Sequence, residues 1–253
     1  MSDRPHDAAL RTAFDAQAER FERSPVQSDR AALARIVAFA GLPPGARVLD
    51  AGCGPGLVAE AFLEAGAEVH GVDLSEEMIR RARARCARFG DRARFEIGSL
   101  LDLPAAPAYD GAVSRHVLHH VEDPRAFLAR EAALLRAGGT LLAVDHTGDP
   151  DTARAAWHQG IERARDRTHV RNLSPGELLD LLGAAGLVEL RHAEEPFDLD
   201  FDEWFDRGSS GEPKEAVRAR LLAGASRGFT PEPLAGGRIA IHSWRSLVAG
   251  RRP

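Results

Sequence analysis

The feature that most constrains the fold is an apolar run that breaks into closely spaced glycines: Val48-Leu49-Asp50-Ala51-Gly52-Cys53-Gly54-Pro55-Gly56. A short buried strand that turns this tightly lets the backbone approach a ligand at the carboxyl end of a sheet. Asp73 closes the next apolar run, AEVHGVD (67–73). In an open α/β sheet a carboxylate there can take both hydroxyls of a ribose.

Around this loop the chain alternates. ARVLDA (46–51) reads as a strand, 57–66 as an Ala/Leu-rich helix ended by Gly66, and 67–73 as a second strand. Ser75 caps an arginine-rich helix running to about Arg88. RARFEIG (92–98), YDGAVSR (109–115) and TLLAVDH (140–146) supply three further strands. A helix over 124–137, closed by Ala137-Gly138-Gly139, precedes the last of them. Such alternation with short connections predicts a parallel sheet covered on both faces. Before it, 7–23 and 28–41 carry apolar residues at helical spacing, and GLPPG (41–45) stops the second helix. After it come helices near 151–166 and 174–185, a strand at 187–193 and an acidic, aromatic stretch at 194–206. A helix at 213–224 and a closing strand, RIAIHSWRSLVAG (238–250), complete the chain. The reading is one domain over 1–253: a helical lid (1–44), a cofactor half (45–146) and a substrate half (147–253) with an insertion at 194–237.

Composition narrows the chemistry. Lys+Arg 33 against Asp+Glu 38 gives a net charge of −5, which argues against a protein that grips phosphate backbones. Lys214 is the only lysine, so Schiff-base chemistry has almost no candidate. Two cysteines make neither a disulfide framework nor a Cys-rich zinc site. No run approaches the ~20 apolar residues of a membrane span. A cytoplasmic protein with a small-molecule partner, no nucleic acid and no membrane is expected.

Two ligands compete for the glycine loop. Read as Gly54-x-Gly56-x-x-Ala59, it passes the loose dinucleotide pattern, and a nicotinamide oxidoreductase would follow. Asp50 argues the other way, because a carboxylate suits an ammonium group better than a pyrophosphate. S-adenosylmethionine carries an ammonium, a sulfonium and a ribose, with no phosphate, and two acids fit it well.

VLDAGCGPG followed by GVDLSEEM resembles the first two signatures of the class I S-adenosylmethionine-dependent methyltransferases. FEIGSLLDLP (95–104) is similar to the third, and YDGAVSRHVLHHVEDP (109–124) to the fourth in the menaquinone/ubiquinone C-methyltransferase-like branch. FDAQAERFERSPVQSD (14–29) also looks like that branch's start, with Gln27 where relatives often carry a histidine. The resemblance implies a Rossmann-like α/β fold: a seven-stranded, mostly parallel sheet of order 3-2-1-4-5-7-6 with strand seven antiparallel. It implies cofactor contacts from Asp50, Ala51, Gly52, Cys53, Gly54 and Gly56, then Asp73, Leu74 and Met78. Ser99 and Leu100 would flank the adenine, and Ser114, Arg115 and His119 would lie by the methionine end. Methyl transfer to a small organic acceptor by in-line displacement is the implied activity, with S-adenosylhomocysteine as product. The alternative is a fold that binds S-adenosylmethionine without methyl transfer, as a non-methylating cyclase or a binding module.

His116, His119 and His120 fall at i, i+3 and i+4 and would share one face of a helix. His146 ends the fifth strand beside them. As general bases His116, His120 and His146 are the candidates, while His119 reads as scaffolding under the cofactor. A metal reading also fits the spacing, but no Cys or clustered Asp/Glu accompanies the three, and no metal is expected. His169 and Arg171, in RDRTHVRN (165–172), are candidates to face the acceptor. Trp157, Phe197, Phe201, Trp204, Phe205 and Phe229 would either line a lid or form plain core. The narrow stripe Leu10, Phe14 and Phe21 predicts a lid helix that is mobile when the site is empty.

Overall fold

The computed structural model describes residues 4–253, so the first three residues of the expected lid lie outside it. β1 (Arg47–Ala51), β2 (Glu68–Asp73), β3 (Ala93–Ile97), β4 (Tyr109–Arg115) and β5 (Leu135–His146) pair in parallel in the order β3-β2-β1-β4-β5. β8 (Ile239–Arg251) lies antiparallel against β5, and β6 (Val188–Asp200) lies antiparallel outside β8. The expected order is therefore present, with one strand more than expected: β7 (Phe229–Pro233) adds to the far end of β8.

Local chemistry sets the helix ends. Asp29 caps α2 (Arg30–Ala40), and Gly41 ends it in a left-handed conformation at φ 67°. Ser75 caps α4 (Glu76–Cys86), which α3 (Leu57–Glu64) precedes. Asp123 caps α5 (Pro124–Leu134), Asp151 caps α6 (Thr152–Arg165), and a Ser174/Glu177 capping box starts α7 (Pro175–Ala184). Side chains of α2, α3 and α4 build one core on one side of the sheet, around Ile36, Phe62 and Ile79. Leu128, Leu178 and Leu182 of α5 and α7 belong to a second core. A third gathers α6, α8 (Phe201–Asp206), α9 (Lys214–Leu222), β7 and the start of β8 around Trp204.

Two boundaries differ from expectation. α5 stops at Leu134, and β5 starts at Leu135, because Leu135 pairs with Tyr109 of β4, and Gly138 and Gly139 then exchange backbone bonds with Arg252. The acidic stretch after 193 is not irregular: β6 runs to Asp200, since β8 offers it a partner as far as Ala240. Trp157 and Phe197 pack against the third core, and Phe201, Trp204, Phe205 and Phe229 are buried in it. Of the two readings for these aromatics, plain core holds.

One buried acid bears on stability. Glu131 of α5 is fully buried; Ser114 donates to its Oε2 at 3.2 Å, while Oε1 has no partner among the described residues. Burial pushes its carboxyl up to about 8. The folded chain thus holds a proton that the unfolded chain releases near pH 4.5, and stability falls as pH rises from there to about 8. Glu131→Gln is expected to remove that fall, worth on the order of 3 kcal/mol. Melting curves at pH 5.5 and 8 check it: a gain in Tm no larger at pH 8 would exclude a protonated Glu131.

Candidate functional site

A cavity of about 380 Å³ opens where β1, β2 and β4 end. Its floor is the glycine loop. Gly52, Gly54 and Gly56 all adopt positive φ, at 71°, 53° and 81°. A Cβ on Gly56 would come within 3.0 Å of the Ala82 backbone in α4, so glycine is also what lets α4 pack here. Leu10, Phe14 and Phe21 of α1 (Pro5–Arg23) line the cavity from above. α1 is tied down along its length. His6 Nε2 meets the His120 carbonyl oxygen at 2.7 Å, Asp15 accepts from the Ser75 hydroxyl at 2.5 Å, and Glu22 pairs with Arg81 and Arg85.

Two acids and one arginine dominate the electrostatics. Asp73 accepts from the Gly54 amide at 2.8 Å and the Ser75 amide at 2.9 Å, so it fastens the loop as well as facing the cavity. Burial raises its carboxyl above the usual range, against those amide bonds. Asp50 is 1 % exposed, and among the described residues its Oδ2 has no hydrogen-bond partner. Burial and then repulsion from Asp73 push it up to about 7, with Arg115 pulling the other way. Arg115 donates from Nη1 to the Gln27 carbonyl oxygen at 3.2 Å, while its buried Nε and Nη2 have no partner among the described residues. Burial and the neighbouring Arg245 bring its guanidinium down to about 9.

The histidines gather, though not on a helix face. His116 follows β4 in a left-handed conformation at φ 57°, and His119 and His120 sit in a 3-10 turn, Leu118–His120. The i, i+3, i+4 argument therefore fails, because the chain breaks its helical path at His116. Strand ends and the turn still bring the rings together: His116 stacks on His146 with centroids 4.6 Å apart, and His119 lies 4.1 Å from His120. Asp145 accepts from His119 Nδ1 at 2.5 Å. Burial opposes a charge on His119, yet Asp145 raises its pKa. Burial lowers His120 and His146 to about 3 and His116 and His169 well below the ordinary histidine value.

The expected site residues divide clearly. Asp50, Gly52, Cys53, Gly54, Asp73, Leu74, Met78, Ser99, Leu100, Arg115, His116 and His120 line the cavity. Gly56 shapes the loop from behind, and Ala51 is core. Ser114 is turned to Glu131. His119 and His146 stand behind the wall made by His116 and His120. His169 is buried with its Nε2 2.6 Å from Gln159 Oε1, and Arg171 is exposed and paired with Glu177. Neither of the last two is in the cavity wall. Sequence reasoning missed His6, Asp7, Glu122 and Phe127, which do line it. The Asp123-Pro124 cap, which fixes where α5 starts beside the cavity, was the available signal for the last two.

Comparison with known proteins agrees with this geometry. A family model described as a methyltransferase domain matches residues 26–192. A ubiquinone biosynthesis O-methyltransferase of Xanthomonas axonopodis is 40% identical over 101 residues, which is 39% of this chain and 42% of that protein. The chain thus spans less than half the length of that curated relative. The uncharacterized methyltransferase YcgJ of Bacillus subtilis is 29% identical over 206 residues, 81% of each chain. Its crystal structure superposes with a TM-score of 0.78, covering 87% of this chain and 97% of that one at 26% identity. A Burkholderia thailandensis 1,6-didemethyltoxoflavin N1-methyltransferase, solved with S-adenosylhomocysteine, shares the fold at a TM-score of 0.60 and 23% identity, covering 100% of this chain and 92% of that one. With its strand order, glycine loop and family match, this chain belongs to the methyltransferase-domain family and has the Rossmann-like class I fold.

Proposed function

We propose that the chain binds S-adenosylmethionine in the cavity and catalyses transfer of its methyl group to a small organic acceptor. One observation carries the reading: the glycine loop is flanked by buried Asp50, by half-buried Asp73 and by buried Arg115, whose Nε and Nη2 are unpaired among the described residues. That set complements a zwitterionic nucleoside. Asp50 has a bare oxygen for an ammonium, Arg115 has spare N–H groups for a carboxylate, and Asp73 keeps lone pairs for ribose hydroxyls. A pyrophosphate would instead meet two carboxylates.

The bound cofactor supplies an electrophilic methyl group on a sulfonium. The protein's part is to hold both reactants aligned and to exclude water. α1 contributes the apolar roof, Leu10, Phe14 and Phe21. His120 lines the cavity with a ring nitrogen free to accept a hydrogen bond from the acceptor; with its pKa held down to about 3 by burial, it orients the acceptor and does not take its proton outright. His120 Nδ1 lies 3.1 Å from the Thr168 carbonyl oxygen and from Thr168 Oγ1, whose own proton goes to Asp166. Nδ1 must then carry the ring proton, leaving Nε2 with its lone pair. His116 also lines the cavity, with its Nδ1 3.0 Å from Gln27 Oε1; His146 packs behind it, and His119 orients the turn through Asp145.

Calorimetry with S-adenosylhomocysteine and with a nicotinamide dinucleotide tests the reading. Binding of the dinucleotide alone would end it. Tight binding of S-adenosylhomocysteine without turnover across an acceptor screen would favour the binding-module alternative.

Asp50 adds a pH signature. An ammonium ligand favours the carboxylate, so the proton held near pH 7 must leave on binding. S-adenosylhomocysteine affinity is expected to fall about tenfold from pH 8 to pH 6. Titrations at pH 6.5 in two buffers of different ionisation enthalpy read the released proton; no buffer dependence would remove Asp50 from the site. The lid gives another test. Because α1 covers the cavity through side-chain contacts at its ends and edge, residues 7–29 are expected to exchange amide hydrogens more slowly once S-adenosylhomocysteine is bound. Equal protection in both states would make α1 a permanent wall.

A further inference from the structure

Behind the cavity wall, three candidate metal ligands converge, none of which lines the cavity itself. Their donor atoms, from His119, Asp145 and His146, all lie within 4.8 Å of one another. The backbone holds the carboxylate between the two rings: Asp145 accepts from the His119 amide at 3.1 Å and the His146 amide at 2.7 Å. His119 is pinned by its Nδ1 contact with Asp145. His146 has no hydrogen bond to either ring nitrogen among the described residues, and it is only partly buried, which leaves an approach from outside. His116, 7 % exposed, stacks on His146 from the cavity side.

We propose that His119, Asp145 and His146 bind one divalent transition-metal ion, leaving an open coordination position. Two imidazoles and one carboxylate suit zinc, cobalt or nickel better than magnesium or calcium, which take oxygen ligands. In a tetrahedral site with bonds of about 2.1 Å, neighbouring donors stand roughly 3.4 Å apart. Side-chain rotation of His146 can close the present spread, since its ring is held only by packing against His116, His119 and Phe197. The proton between His119 and Asp145 leaves as the ion enters, because both ligands bind metal in their deprotonated forms. The ion would sit one ring away from the cavity, with His116 and His120 between, so loading it stiffens the wall that faces the acceptor. The inference stands independently of methyl transfer, since any ligand in the cavity would meet the same wall.

The test uses the full chain, stripped with a chelator and titrated with zinc chloride by calorimetry at pH 7.5. One ion per chain is expected, and cobalt chloride should give the visible ligand-field absorption of a low-symmetry nitrogen and oxygen site. His146→Ala and Asp145→Asn are each expected to weaken zinc binding at least tenfold. His192→Ala, which removes an exposed histidine on β6, should leave it unchanged. No saturable binding overturns the proposal, as does affinity retained in His146→Ala or Asp145→Asn, or lost in His192→Ala. Should Asp145→Asn fail to fold by circular dichroism, His146→Ala and the cobalt spectrum decide.

Discussion

Asp73→Ala is expected to weaken S-adenosylhomocysteine binding by about 2–4 kcal/mol, since two ribose hydroxyls would lose a charged acceptor in a dry site. The sequence alone suggests that apo stability should barely change. The geometry says otherwise. Asp73 holds the Gly54 amide at 2.8 Å and the Ser75 amide at 2.9 Å, so the empty protein should also lose about 1–2 kcal/mol as the loop slackens. Urea melts and calorimetry on the same preparation separate the two. Intact affinity with a badly destabilised apo protein would make Asp73 purely a loop fastener.

Trp204→Ala should produce the largest loss of stability, about 3–5 kcal/mol, because it empties the centre of the third core. The indole is 2 % exposed and packs on Phe201 and Phe229, with Arg165 over its ring at 5.2 Å. The glycine loop, Asp50 and Asp73 lie on β1 and β2 and the turn between β1 and α3, none of which contributes a side chain to that core. Opening of the third core should therefore leave S-adenosylhomocysteine binding in place. Hydrogen exchange in α6, α8 and α9 should rise while β1, β2 and β4 stay protected. A uniform rise over the whole chain would show that the three cores melt as one.

The cofactor half was legible because its chemistry is local. Three glycines within five residues, an acid two before them and another at the next strand end fix the turn, the strand and the crevice at once. β4 was readable to the residue, since YDGAVSR is bounded by a proline-rich stretch and the histidine turn. The acceptor side was less readable because its elements exist through distant partners. β7 carries two prolines in five residues and reads as a loop, yet β8 supplies the ladder that makes it a strand. His116 misled for the opposite reason. Residue spacing cannot reveal that a non-glycine residue will take φ 57°, a conformation that only the surrounding fold imposes. The neighbours of His119 were likewise out of sight: Asp145 lies 26 residues away, and its grip on the turn depends on β4 and β5 lying side by side.

β8 has a consequence for how the chain reaches its native state. Its register pairs Thr140 with Arg251 and Val188 with Arg251, so it fills the gap between β5 and β6 although it starts 93 residues beyond the end of β5. The parallel half can zip through short crossovers, whereas β5 keeps one apolar edge, Leu141 to Val144, unpaired until β8 arrives. Pairing across so long a separation delays the rewarding contacts behind a large entropic cost. During that interval the bare edge of β5 is open to strands of other molecules, and yield on refolding becomes a contest between β8 and its neighbours in solution.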